Sequence, residues 1–264
     1  MRFLEGGNGD PLLLIHGFNA NVHSLRSLMM ELQRDFRVIA LEVPGLSYRR
    51  RPNRPDRFRQ RFLLDIFQAF VKHLKLEKFH ILGTSVGATY AASYAAEKPE
   101  QVQTLAMLAI PPLFKPDPGD PQRTGANPEF YVPLDLEGVD HLIDFMYYKP
   151  PMIPRHIKER YLKLNIENRD FLLNVLNEAL KRTALLVPRL RALSVPSILI
   201  YGEHDQVTTQ ATVEYLESVL PNIQSYRVNS AGHTIYIENP VEVARAYISF
   251  VRYAKREHTS RHLI

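Results

Sequence analysis

The sequence predicts an α/β fold: a mostly parallel, doubly wound sheet with an inserted helical cap. Short apolar runs of strand length alternate with segments of helical periodicity. A glycine–serine–glycine turn follows one of these runs at residues 83–87, and the proline-rich segment 111–188 contains no apolar run suited to a sheet strand. We therefore divide the chain into a core, residues 1–110 and 189–264, and a cap, residues 111–188.

The composition narrows the class of protein. At 264 residues and 45% hydrophobic content, the chain can bury one large core. It has no cysteine, which excludes disulfides and thiolate metal sites and fits a reducing compartment such as the cytoplasm. Residues 1–7 lack a signal-peptide pattern, and no apolar run approaches the roughly 20 residues of a membrane span. We expect a soluble chain that uses no metal or other cofactor.

The first part of the core alternates strands and helices. Turn residues 6–10 lead into residues 11–15, whose continuous apolar run suits a strand buried on both faces. Further apolar runs alternate with segments that repeat apolar residues at helical spacing, and Pro111 ends the last run. Strands are predicted at residues 11–15, 36–43, 79–82 and 102–110, and helices at residues 24–34 and 62–74.

The rest of the chain contains the cap and the end of the core. Clustered prolines and short helical patterns predict cap helices at residues 138–148, 154–164 and 168–182. Apolar runs at residues 195–201 and 225–228 then resume the sheet. Pro240 is well placed at the start of a final helix, predicted over residues 241–253, and the polar residues from 255 on predict a frayed tail.

Ser85 occupies the centre of the turn between a strand and an alanine-rich helix. Gly83 and Gly87 supply the small neighbours that such a turn needs where strand and helix close on each other. The turn lifts the Ser85 hydroxyl above the sheet edge and places the Val86 N–H at a helix N-terminus, where negative charge is favoured. Without its context, the five-residue pattern alone is more typical of an ordinary glycine–serine turn than of a nucleophile.

A second backbone donor is predicted after the first buried strand, in the sequence His16-Gly17-Phe18. Gly17 permits a tight turn that would direct the Phe18 N–H toward Ser85, so Phe18 and Val86 are the candidate oxyanion donors. His16 itself is predicted to hydrogen-bond the loop backbone rather than to act as a base.

Two further side chains follow the ends of predicted strands. Asp205 comes just after the strand at residues 195–201, and His233 follows the last strand behind Gly232. Because a serine hydroxyl needs a base to become nucleophilic, His233 is the candidate base and Asp205 the acid that orients it. His80 and His204 compete by residue type alone, and we interpret both as structural.

These motifs together resemble the α/β-hydrolase superfamily over nearly the whole chain. They are His16-Gly17-Phe18, the Ser85 turn, Gly202-Glu203-His204-Asp205, and Gly232-His233 followed by Glu238-Asn239-Pro240. The resemblance implies Ser85 as nucleophile, His233 as general base then acid, Asp205 as its partner, and the Phe18 and Val86 amides as the oxyanion hole. The family offers an alternative acid after residue 110, where the sequence provides only Asp117, so Asp205 is preferred.

Residues 79–85, 154–180 and 205–207 look more narrowly like the monoacylglycerol lipase and bacterial lipase/esterase branch. Two departures concern the mouth of the pocket. The N-terminal hairpin usual in the family is shortened to one edge strand near residues 1–4, and the loop at residues 42–47 is two residues shorter than the family's.

The resemblance implies a serine carboxylesterase or lipase that cleaves esters with an apolar acyl chain through an acyl-enzyme. The aromatic cap residues predict an apolar pocket wall, with Phe145, Tyr148 and Phe171 as candidates. The same triad could instead cleave a carbon–carbon bond, a lactone or a thioester, or the chain could be a slow-turnover binding receptor. Epoxide hydrolases and dehalogenases are disfavoured because those relatives carry aspartate in place of Ser85.

Seven arginines crowd one predicted loop beside the pocket side of the sheet. A solvated surface loop is the simpler interpretation. The alternative is peripheral contact with anionic lipid, since arginines near a charged membrane each contribute about 1 kcal/mol. Nucleic acid is a poorer partner because the loop lacks interleaved stacking aromatics. The residues are Arg49, Arg50, Arg51, Arg54, Arg57, Arg59 and Arg61.

Overall fold

The computed structural model describes residues 2–47, 60–112, 127–220 and 223–261. Within these ranges seven strands form one sheet in the order β1-β3-β2-β4-β5-β6-β7. All neighbours are parallel except β1 and β3, so the predicted α/β class with a mostly parallel sheet is confirmed. The strands are β1 (Phe3–Gly6), β2 (Asp10–Ile15), β3 (Phe36–Leu41), β4 (Phe79–Thr84), β5 (Val102–Leu108), β6 (Ser197–Gly202) and β7 (Ile223–Val228).

Helices lie on both faces of the sheet. In β2, Leu13 and Ile15 pack into a cluster with the helices of one face, and Leu12 and Leu14 pack into a second cluster on the other face. A continuous apolar strand is therefore buried on both sides, as its sequence predicts. The helices are α1 (Arg26–Leu32), α2 (Gln60–His73), α3 (Val86–Glu97), α4 (Leu136–Met146), α5 (Arg155–Glu167), α6 (Arg169–Arg191), α7 (Gln210–Val219), α8 (Ile235–Glu238) and α9 (Pro240–Arg261).

Two helices are longer than predicted. The frayed tail expected from residue 255 is wrong as far as Arg261, because α9 continues to that residue. Its last turns are anchored by the buried side chain of Ala254 and by a 2.5 Å ion pair between Lys255 and Asp10. In the cap, α6 continues past the expected end at residue 182 to Arg191, since its C-terminal part is buried in the core. The proposed cap boundary at residue 188 thus falls inside a helix.

No helix in the described ranges is both long enough and apolar enough to cross a bilayer.

His80 is a buried titratable group in β4, away from the serine turn. Its Nδ1 lies 2.8 Å from the Thr104 hydroxyl, and its Nε2 lies 3.9 Å from the Asp10 carboxylate. Burial, followed by the nearby positive charge of Lys255, lowers the pKa of His80 from 6.5 to about 4. The imidazole is therefore neutral in the folded protein at pH 7, which agrees with a structural role.

This depressed pKa predicts a pH-dependent stability. Between pH 6.5 and about 4 the unfolded chain binds a proton at His80 that the folded chain does not, so stability falls as the pH drops through this window. The lowered pKa corresponds to about 3 kcal/mol of unfolding free energy. Urea unfolding of the parent and of His80→Gln at pH 7 and pH 4 measures it. We expect the parent to lose about 3 kcal/mol more than the variant, and equal losses would contradict the assignment to His80.

Candidate active site

Ser85 lies in a strained turn between β4 and α3. Its φ of 52° is in the left-handed region, which is costly for a residue with a side chain. Its N–H donates to the Leu108 carbonyl at 2.8 Å. A Cβ at Gly83 would lie 2.3 Å from the Gly87 carbonyl oxygen, and one at Gly87 would lie 2.5 Å from the His16 carbonyl oxygen. Only glycines fit at these two positions, so the sequence pattern reflects a real packing constraint.

The structure brings Ser85, His233 and Asp205 into one hydrogen-bonded chain. His233 Nε2 lies 2.9 Å from the Ser85 Oγ, and His233 Nδ1 lies 3.0 Å from both carboxylate oxygens of Asp205. A carboxylate only accepts, so Nδ1 carries the proton and Nε2 is free to accept from the Ser85 hydroxyl. This is the geometry that activation of a serine nucleophile requires.

Hydrogen bonds fix both the Asp205 carboxylate and the loop that follows it. Its Oδ1 accepts from the N–H groups of Val207 and Thr208 at 2.8 and 2.9 Å, and the Thr208 hydroxyl donates to the Ile110 carbonyl at the end of the neighbouring strand. Burial raises the pKa of the Asp205 carboxyl, but His233 and the two amides outweigh that effect and lower it below its usual value. Asp205 is therefore ionised and can stabilise a protonated His233.

The candidate oxyanion donors lie on the two loops around Ser85. Val86 is the first residue of α3, where the N–H has no partner within the helix. A Cβ at Gly17 would lie only 3.1 Å from the Ser85 Cβ, which places the loop of Phe18 directly beside the serine. Within the described ranges, the N–H groups of Phe18 and Val86 donate no hydrogen bond to protein atoms. Both remain our proposed donors.

His16 orders the backbone of this loop. Its Nε2 accepts from the Val43 N–H at 3.0 Å, so the proton is on Nδ1, which donates to the Gly17 carbonyl at 2.8 Å. Burial lowers the pKa of His16, which keeps the ring neutral and able to accept. Neither of these two hydrogen bonds involves the Ser85 hydroxyl, which agrees with the predicted structural role of His16.

The cap rests directly on the active-site loops. The Met146 carbonyl, at the end of α4, accepts from the N–H of His233 at 2.9 Å. A second contact involves the oxyanion loop, our name for residues 16–19, which include the proposed donor Phe18. In this loop, Asn19 donates through Nδ2 to the Tyr161 hydroxyl at 3.1 Å and to Asn165 Oδ1 at 2.8 Å, both on α5. The cap therefore touches the loop of the base and the loop of an oxyanion donor.

The three predicted pocket residues have different surroundings. Phe145 packs edge-to-face on Phe130 with ring centroids 4.8 Å apart, and Phe171 is half-buried against the core. Tyr148, however, stacks on His204 at 4.2 Å and is 38% exposed. The Lys149 ammonium also lies 5.6 Å from the centroid of the Tyr148 ring. Because the ring is already in contact with these two side chains and otherwise faces solvent, we keep only Phe145 and Phe171 as proposed pocket residues.

The remaining predicted residues lie elsewhere or outside the described ranges. His204 forms the stack with Tyr148 and lies 3.6 Å from Glu203, which agrees with a structural role. Asp117, the alternative acid, lies outside the described residues. So do the arginines between residues 49 and 59, and contact of that loop with anionic lipid stays a prediction. Arg61 is described and pairs with Asp65 and Glu97, both at 2.8 Å.

The sequence analysis missed two features of the site. Asn19 has a positive φ of 51° and joins the oxyanion loop to the cap. Its position directly after Phe18 was the one sequence signal that could have indicated this role. Tyr131, in a short 3₁₀ helix of the cap, is close enough to Asp205 that burial and the carboxylate together raise the pKa of its hydroxyl. No local pattern around Tyr131 indicates this proximity.

The chain is similar to known proteins over most of its length. The chain is 23% identical to Lipase 1 of Psychrobacter immobilis over 95% of its length and 80% of that lipase. It is 26% identical to the human monoacylglycerol lipase ABHD6 over 93% of its length and 76% of that protein. Among solved structures, a membrane phospholipase A described as a bacterial virulence factor superposes with a TM-score of 0.81 at 26% identity, covering 96% of this chain and 82% of that one.

The family-level match includes both the loop of Phe18 and the turn of Ser85. The model of the α/β hydrolase fold family matches residues 10–143, which is just over half of the chain. This range begins at β2, includes the Ser85 turn, and ends within α4 of the cap. The chain belongs to the α/β hydrolase fold family.

Proposed function

We propose that this protein is a serine carboxylic-ester hydrolase that cleaves acyl esters with an apolar acyl chain. The observation that carries the proposal is the 2.9 Å contact between His233 Nε2 and the Ser85 Oγ, with Asp205 on the other side of the ring. The names of the relatives, lipases and monoacylglycerol lipases, favour an ester over a carbon–carbon bond or thioester.

In the proposed mechanism, His233 removes the proton from the Ser85 hydroxyl as Oγ attacks the ester carbonyl carbon. The carbonyl oxygen becomes an oxyanion that the Phe18 and Val86 N–H groups stabilise. His233 then gives its proton to the departing alcohol, which leaves the acyl group on Ser85. A water molecule, deprotonated by His233, releases the acid and restores the serine.

The deciding experiment is hydrolysis of p-nitrophenyl esters from acetate to decanoate, combined with labelling by a fluorophosphonate. We expect turnover of the esters and stoichiometric labelling of Ser85, because both need the serine to be activated. Labelling with neither binding nor turnover of the esters would point to another scissile group. Binding of the esters without turnover would instead support the interpretation as a slow-turnover receptor.

The proposal that the cap selects acyl length gives a second prediction. Phe145→Ala removes a ring from the aromatic cluster with Phe130 and enlarges the proposed pocket. We expect the ratio of kcat/KM for decanoate to that for acetate to rise about tenfold, since single apolar contacts discriminate by 1–3 kcal/mol. The ester series above measures it.

Tyr148→Ala is the matched control for this prediction. It also removes one aromatic ring from the cap, but a ring that lies on His204 and faces solvent. Its chain-length preference should stay that of the parent. If Phe145→Ala lost activity equally on every ester, the ring would serve cap stability and would have no role in selecting the acyl chain.

A further inference from the structure

Glu238 lies at the end of α8, five residues after the proposed base. Its Oε2 accepts from the Gly232 N–H at 2.9 Å and from the Thr234 hydroxyl at 3.2 Å. Its Oε1 accepts from the N–H groups of Tyr148 and Lys149 at 2.9 and 3.3 Å. One carboxylate thus receives donors from both neighbours of His233 and from the cap segment that follows α4.

The same two segments also touch directly. The Met146 carbonyl accepts from the N–H groups of His233 and Thr234 at 2.9 and 3.3 Å. A Cβ at Gly232 would lie 2.7 Å from the Tyr148 nitrogen, so the two backbones approach as closely as glycine allows. The histidine loop, residues 231–234, and the cap segment 146–149 therefore form one packed unit.

The histidine loop needs such support because of its place in the sheet. It follows β7, which among the described strands pairs with β6 on one side only. On that side the loop is fixed by a hydrogen bond from the His204 N–H to the Ala231 carbonyl. On the other side, Glu238 and Met146 supply the contacts that hold the loop.

We propose that Glu238 is a positioning residue that aligns His233 with Ser85 by tying the histidine loop to the cap. The inference rests on the proposed function. Docking of the cap segment 146–149 and alignment of the base are then coupled, because the same carboxylate contributes to both. The hydrogen bonds of Glu238 go to the backbone of the loop and of the cap segment and to the Thr234 hydroxyl, so it would act on His233 through the backbone of the loop.

Glu238→Gln tests this proposal with the shape of the side chain preserved. The three backbone partners are all donors, and glutamine offers one acceptor oxygen where glutamate offers two. The amide must therefore release either the cap or the loop. Glu242→Gln is the matched control, because it removes the same charge four residues later, at a carboxylate whose described contact is the Tyr226 hydroxyl at 3.3 Å.

Three readouts separate positioning from general stability. We expect kcat on p-nitrophenyl acetate and the rate of fluorophosphonate labelling to fall about 10- to 100-fold in Glu238→Gln, with the KM for acetate changed far less, since small displacements of a catalytic group have such effects. Hydrogen exchange should become faster on the side that the glutamine releases, either at the Gly232 amide or at the Tyr148 and Lys149 amides. Glu242→Gln should match the parent in all three.

The outcomes distinguish this proposal from the proposed function. Unchanged exchange and unchanged labelling in Glu238→Gln would overturn the positioning role. Faster exchange with unchanged kcat and labelling would also overturn it, because the contact would then serve the cap alone. A parent protein that neither hydrolyses esters nor reacts with the fluorophosphonate would overturn the proposed function, while the exchange data would still show whether Glu238 joins the two segments.

Discussion

Replacing Ser85 with alanine should lower kcat for ester hydrolysis by about 10⁴- to 10⁶-fold. Only the oxygen atom that forms the acyl-enzyme is lost, and the residual rate comes from substrate binding and the oxyanion donors. Steady-state kinetics on p-nitrophenyl butyrate, with protein concentrations high enough to detect the residual rate, measure the loss. The fold should persist because alanine retains the backbone geometry of the turn.

Ser93→Ala is the matched control for Ser85. Ser93 lies in the same helix that follows the Ser85 turn, α3. Its side chain is buried, and its hydroxyl donates to the Thr89 carbonyl at 2.7 Å. Its variant should retain kcat within about twofold, since its contacts do not include the proposed base. If Ser85→Ala kept kcat within about tenfold, or 1.4 kcal/mol of activation free energy, Ser85 would not be the nucleophile.

The strain at Ser85 links the packing of the core to this chemistry. A positive φ in a non-glycine residue costs about 1–3 kcal/mol and persists only where the surroundings fix it. Here the close approach of Gly83 to Gly87, and of Gly87 to the β2 loop, fixes the turn. The strained serine therefore keeps its Oγ at the edge of the sheet even without substrate, in reach of His233.

The sequence was sufficient to predict which side chains meet at this edge. Ser85, Asp205 and His233 each follow the C-terminal end of a strand, and parallel strands bring those ends together. The burial of β2 on both faces was likewise predictable from its unbroken apolar run. Both inferences depend on local sequence patterns that identify strands and their ends. Formation of the sheet then brings the residues at those strand ends close together.

The contacts of the cap could not be predicted in this way. Glu238 and Tyr148 lie 90 positions apart, and neither stands in a periodic pattern that indicates what it touches. The last turns of α9 escaped prediction for a similar reason, because the ion pair of Lys255 is made with Asp10, 245 positions away. Such long-range contacts are set by the assembled fold, whereas local propensity and periodicity report mainly on neighbours along the chain.

The cap contacts the loops of the candidate site at two separate places. Asn19 joins the oxyanion loop to α5, and Glu238 joins the histidine loop to the segment after α4. Neither residue belongs to the proposed triad. If the proposed function holds, we expect movement of the cap to displace the loop of the proposed oxyanion donor Phe18 and the loop of the proposed base His233.

Asp205→Asn should lower kcat by about 10⁴-fold, and the arrangement of its hydrogen bonds explains why. The N–H groups of Val207 and Thr208 both donate to Oδ1, so the single oxygen of asparagine is retained at that position. The amide NH₂ then faces His233 Nδ1 and donates to it. The ring proton moves to Nε2, which faces Ser85 as a donor and can no longer accept its proton.

The matched comparison for this variant is Asp117→Asn, which removes the alternative acid of the cap loop by the same change. We expect Asp117→Asn to stay within about twofold of the parent, because Asp205 already occupies the position of the acid beside His233 Nδ1. Kinetics on p-nitrophenyl butyrate for both variants provide the test. Asparagine keeps the two amide contacts at its single oxygen, so the replacement should leave the fold intact, which circular dichroism checks. A larger loss at Asp117 than at Asp205 would reassign the acid to the cap loop, and the observed contact between Asp205 and His233 would then serve only to order the loop.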